Sequence, residues 1–105
     1  MSSTVGARYA AGQVQATGAI LYVHNVGFKP RAFRITNLTN SCQVEGSEAL
    51  PVGTNLFRVA AGDLSVITSA PAVHTDANGN SGLKIPILAH INDTTTEMLM
   101  WEAWG

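Results

Sequence analysis

From Ala19 onward the chain alternates between short apolar runs and turn residues. Ala19-Ile20-Leu21-Tyr22-Val23-His24-Asn25-Val26 is rich in β-branched and aromatic side chains and stops at Gly27, which predicts a strand. Gly27-Phe28-Lys29-Pro30 predicts a turn, because Pro30 drives Lys29 out of helical conformation. Over residues 31–37, Phe33 and Ile35 share one face and Arg34 and Thr36 the other, the pattern of a half-buried strand. Leu38-Thr39-Asn40-Ser41 turns, Cys42-Gln43-Val44-Glu45 predicts a short strand before Gly46, and residues 50–55 a loop. Strands follow over 56–60 and 64–68, separated by a turn at Ala61-Gly62-Asp63, and Pro71 ends the second.

Residues 75–82 are the densest turn cluster. Beyond them, Ile85, Ile87, Ala89 and Ile91 fall on one face and Lys84, Pro86, Leu88 and His90 on the other. Pro86 has no N–H for a ladder, so 83–91 is expected to be an edge or bulged strand. Asn92-Asp93-Thr94 turns, and 95–104 closes the pattern with Leu99, Trp101 and Ala103 opposite Met98, Met100, Glu102 and Trp104. Both tryptophans lie here among Met and Leu. That places Trp101 in a core and leaves Trp104 facing the same core or a neighbouring subunit.

About six to eight short strands with frequent turns and no helical period predict an all-β fold. The expected form is a small antiparallel β-sandwich, jelly-roll-like or immunoglobulin-like. Residues 1–17 are different: Ser, Ala, Gly, Gln and Thr dominate, and only Val5, Tyr9 and Val14 offer anchors. They are expected to form an extended N-terminal arm that orders on a partner, ahead of a sandwich domain over 18–105.

Composition sharpens this. Hydrophobic residues make up 46% of the 105 residues but charged residues only 12%, about half the usual ~25%. Thr, Ser, Asn and Gln must cover the surface, and so few charges protect little against association. Six Lys/Arg against seven Asp/Glu leave a net charge of −1. The one local basic cluster, Lys29 with Arg31 and Arg34, is no footprint for nucleic acid. No secretory pattern and no run of ~20 apolar residues appear, so synthesis in the cytoplasm without a membrane span is expected. Asn37-Leu38-Thr39 and Asn92-Asp93-Thr94 fit the glycosylation pattern, and without secretion they read as chance. The single Cys42 cannot form an intramolecular disulfide and is expected to be a buried thiol.

Catalysis needs His24, His74 or His90 beside a carboxylate and a nucleophile such as Cys42, and no local catalytic signature accompanies them. The chain is therefore read as a non-enzyme without cofactor. Asp76-x-Asn78-x-Asn80 has the spacing that opens a calcium loop. Ser81 stands where the loop needs Gly and Ile87 where it needs Glu, so a hairpin tip at Asn78-Gly79 is the reading. Arg31 and Arg34 mark a solvated or interface edge, and at an interface they would meet a partner's acids.

Gly27-Phe28-Lys29-Pro30-Arg31-Ala32-Phe33-Arg34-Ile35-Thr36-Asn37 resembles small tailed-bacteriophage virion proteins: Gly-Phe-x-Pro, then a strand ending in Asn. Gly82-Leu83-Lys84-Ile85 and Trp101-Glu102-Ala103-Trp104 look like the later strands of such proteins. The resemblance implies a small β-sandwich and a capsid or tail role, and it carries no catalytic residues. The expected function is capsid decoration (cement), the chain sitting on the major capsid protein of a virion as a homotrimer. A tail, baseplate or fibre component, or a carbohydrate-binding module using Trp104 or Tyr22, is the alternative. The expected interface residues are Val5, Tyr9, Val14, Arg31, Arg34 and Trp104.

Overall fold

In the computed structural model, residues 8–105 apart from 25, 52, 69, 70 and 89 are described. Among them alternation sets nine strands: β1 Tyr9–Gln15, β2 Leu21–Val23, β3 Ala32–Asn37, β4 Cys42–Ser47, β5 Asn55–Arg58, β6 Leu64–Ile67, β7 Ala72–Thr75, β8 Ser81–Ile85 and β9 Met98–Trp104. One sheet has the order β1-β9-β3-β4-β5-β6 and the other β2-β8-β7. Every pairing is antiparallel, as the alternating pattern predicts for a sandwich.

The core is the meeting of the two inner faces. Phe33 and Ile35 of β3, Cys42 and Val44 of β4, Phe57 of β5 and Leu99, Trp101 and Ala103 of β9 meet Val23 of β2 and Leu83 and Ile85 of β8. Burial of this apolar surface is the main favourable term of the fold. Cys42 is free and buried there.

β9 is the strand on which the large sheet turns. It lies between β1 and β3, so Trp101 faces Gly12 on one side and Ile35 on the other. Gly12 is required by that ring: a Cβ would come 2.9 Å from Trp101 Nε1. Gly46 plays the same part for β3, since a Cβ on it would strike the Phe33 ring.

Several elements differ from the sequence pattern. Residues 9–15 of the expected arm are β1, paired along their length with β9. Their burial alternates, but the inward set is Ala10, Gly12 and Val14. Trp101 takes the space that larger side chains would fill, so hydrophobicity does not show the period. Val5, with the rest of 1–7, lies outside the described residues. β7 follows Pro71 directly and is a strand that the pattern did not predict. β8 is the middle strand of its sheet and stops at Ile85. A middle strand needs N–H groups on both sides, which Pro86 cannot supply. Beyond it, Ile87 is 60% exposed while Ile91 is fully buried, so the expected alternation over 83–91 ends at the proline. β2 is also shorter than the expected strand.

Three buried asparagines fasten the loops. Asn92 Oδ1 accepts from the N–H groups of Thr17 (2.9 Å) and Gly18 (3.3 Å), and its Nδ2 donates to the carbonyls of Ala19 (2.6 Å) and Ile85 (3.3 Å). It thus ties the β1–β2 link to the end of β8. Asn37 Oδ1 accepts from Thr39 and Asn40 N–H, both at 2.9 Å, and Nδ2 donates to the Ile91 carbonyl at 3.1 Å. Asn55 Nδ2 donates to the Pro71 carbonyl at 2.8 Å. Asn37 and Asn92 are fully buried, so the two acceptor-like tripeptides serve the fold.

Two substitutions test this frame. Trp101→Ala should cost about 3–5 kcal/mol, the range for a large aromatic removed from a core. Asn92→Ala orphans several backbone groups at once and should cost about 2 kcal/mol or more. Urea denaturation reads both. A loss below about 1 kcal/mol for Asn92→Ala would show that water replaces its bonds.

Candidate functional site

The outer face of the six-stranded sheet gathers residues from four strands. Tyr9 of β1 lies opposite Trp104 of β9, and Arg34 of β3 lies opposite Glu102 of β9 and Glu45 of β4. The Tyr9 and Trp104 rings are 5.6 Å apart at 51°, a tilted aromatic contact. Tyr9 Oη donates to Glu102 Oε2 at 2.9 Å, and Arg34 Nη1 lies 3.7 Å from Glu102 Oε1. The Arg34 guanidinium also stands 5.6 Å from the centroid of the Trp104 ring, within cation–π range. Arg34 Nε is buried with no hydrogen-bond partner among the described residues. Donating to Glu102 holds the Tyr9 phenol above its ordinary pKa, with burial adding to the rise.

Of the residues singled out in the sequence, the fold brings Tyr9, Arg34 and Trp104 together. Arg31 stands just before β3, where its Nε pairs with Glu48 Oε1 at 2.5 Å in solvent. Within this chain its acidic neighbour is Glu48. Val14 points inward and packs against the core. Glu102 was missed as a site residue. Only its place on the Trp104 face marks it in the sequence, and its partners come from strands distant along the chain.

A second aromatic cluster covers the outside of the three-stranded sheet. Tyr22 and His24 stack at 5.6 Å, His74 lies 4.8 Å from Tyr22, and the two imidazoles are 5.6 Å apart. His24 Nδ1 is 3.9 Å from Asp76 Oδ2. Asp76 is chiefly a loop former: its Oδ1 accepts from Asn78 and Asn80 N–H, both at 2.9 Å. The bond from the Asn80 backbone leads the causes that lower the Asp76 pKa. Among the described residues no three His, Cys, Asp or Glu side chains gather as metal ligands. His90 lies apart, in the loop after β8, its N–H donating to Asp93 Oδ2 at 3.1 Å.

Two grooves open the sandwich. One of about 560 Å³ has Phe33, Asn55 and Val73 inside and Lys29, Arg31 and Glu48 at its rim. The other, about 420 Å³, runs between β1 and β2 and is lined by Gly12, Gln13, Val14, Tyr22, Val23, His24 and Trp101. No protein-family model, curated protein or solved structure matches the chain.

The Tyr9–Glu102 bond has a signature in alkali. The bond needs the neutral phenol, so its stabilisation is whole below the ordinary phenol pKa of 10.0 and is lost as pH rises through the raised folded value. Ultraviolet titration should show a late step from Tyr9. Tyr9→Phe should remove that step and Glu102→Gln should bring it earlier. An unmoved late step in Glu102→Gln would place the carboxylate elsewhere in solution.

Proposed function

We propose that this chain is a capsid decoration (cement) protein of a tailed bacteriophage, bound to the major capsid protein on the head shell. The observation that carries the reading is the convergence of Tyr9, Arg34 and Trp104 on the outer face of the six-stranded sheet. Tyr, Arg and Trp are the residue types that dominate interface hot spots. Tyr9 and Arg34 are paired with one another through Glu102, and Leu64 and Val66 stand exposed on the same sheet, apolar area of the kind that is normally covered. Two of the three stretches that resemble virion proteins also adjoin in space. β3 pairs with β9, and the Phe28 ring of the Gly-Phe-x-Pro turn lies where a Gly105 side chain would be.

The mechanism is repetition. A rigid face makes a modest contact, and many copies, as a homotrimer and around the shell, add to a strong coat. A tail, baseplate or fibre component would use the same face at another place on the particle. Glycan recognition is a second reading, favoured by the exposed Tyr22 ring within the His24 and His74 cluster.

The double variant Tyr9→Ala/Trp104→Ala should stay folded, because neither ring belongs to the inner face. Its affinity for shells assembled without this chain should fall about 30-fold, the effect of losing a hot spot of ~2 kcal/mol. Cosedimentation measures it. A folded double variant that coats shells like the native chain removes this face from the proposal. An imaged virion with the density on its tail and a bare head replaces decoration with the tail reading. Binding to purified host glycans that Tyr22→Ala abolishes would favour the glycan module.

A further inference from the structure

β1 ends the large sheet, and among the described residues nothing pairs with its other side. The direction of its backbone groups follows from its bonds to β9. Arg8 and Gly105 exchange both N–H···O bonds (3.3 and 3.0 Å), and Ala16 N–H donates to the Glu97 carbonyl at 2.9 Å. In an antiparallel ladder bonded and non-bonded pairs alternate. Ala10, Gly12 and Val14 therefore bond to β9, while the N–H and C=O groups of Tyr9, Ala11, Gln13 and Gln15 point away from the sheet. The strand contains no charge and no proline, the usual guards of an open edge. Beside it runs the groove of about 420 Å³ between β1 and β2.

We propose that this edge pairs antiparallel with β1 of a second copy, about a two-fold axis at Gln13. The strand is its own complement under that operation. Gln13 faces Gln13, Ala11 faces Gln15, and each free donor meets a free acceptor. On the inner face, Val14 of one copy lies opposite Gly12 of the other. The missing side chain at Gly12 leaves the Trp101 edge open to the groove, and the incoming valine covers it. Centring on Gly12 would instead set two glycines together and leave the groove unfilled. Along the described strand the nearest charged residue, Arg8, lies beyond the paired segment. A ladder this short, with small side chains, covers less than the ~1,200 Å² of a stable interface. The pairing is therefore weak and reversible in solution, and it gains weight wherever copies are concentrated. It does not depend on the virion reading, and its symmetry is two-fold where that reading expects a trimer.

The register gives a charge-swap test. Gln13→Lys sets two lysines face to face, and Gln13→Glu two glutamates, and like charges directly opposite destabilise a strand pair. Sedimentation of the native chain from about 10 µM to about 1 mM should show growth toward twice the 11.0 kDa monomer mass. Each variant alone should remain monomeric with an unchanged melting temperature, and an equimolar mixture of the two should dimerise at least as well as the native chain. Hydrogen exchange should slow with concentration at the amides of Ala11, Gln13 and Gln15, while those of Gly12 and Val14 stay protected throughout. A native chain monomeric at 1 mM, a threefold mass, a mixture no more associated than its components, or dimers without new protection at the odd-numbered amides would each overturn the proposal.

Discussion

β9 bonds on both of its sides, and the six-stranded sheet is continuous only because it does. The meander from β3 to β6 pairs neighbours in sequence, but β1 reaches it through the last strand alone. Tyr9 and Glu102, which share a bond across this ladder, are 93 residues apart. The loop-closure cost of such a contact comes before its reward. The burial of Leu99, Trp101 and Ala103 provides the reward, and it requires β1 and β3 in place together. Gly12 and Trp101 are two sides of one fit, with the ring set where a side chain would otherwise be.

The polar interior follows from the same topology. Chain crossings between the two sheets leave backbone groups away from water, and those groups must find partners. Asn92 and Asn37 supply them, each acting as donor and acceptor at once. With the crossings satisfied internally, the outer faces are free of structural polar duty. The outer face of the large sheet can then carry an aromatic pair, a guanidinium and a carboxylate that bond chiefly to one another.

How much of this was legible depended on whether an element's signal was local. β3 and β9 read clearly because their inward residues are large and apolar and their outward ones are not. β1 did not read at all, since Ala10, Gly12 and Val14 are sized by a ring at the far end of the chain. Pro86 was recognised as awkward for a ladder, but whether it bulged the strand or ended it depended on β8 being central. Tyr9, Arg34 and Trp104 were each singled out from their residue type and setting. Their adjacency is a property of the strand order β1-β9-β3, which no local pattern contains. For the same reason Arg31 and Arg34 read as one basic edge, although one pairs with Glu48 and the other with Glu102.

The reciprocal bonds between Arg8 and Gly105 bring the two ends of the described chain to a single point, beside Tyr9 and Trp104. Whatever is fused after Gly105 leaves from that point. A purification tag, a fluorescent protein or a displayed peptide joined there would overhang the aromatic pair. An inactive fusion would then report steric cover of that face as readily as a defect in the chain. The hairpin tip at Asn78-Gly79, a solvent-exposed turn of the other sheet, is the cleaner place for an insertion.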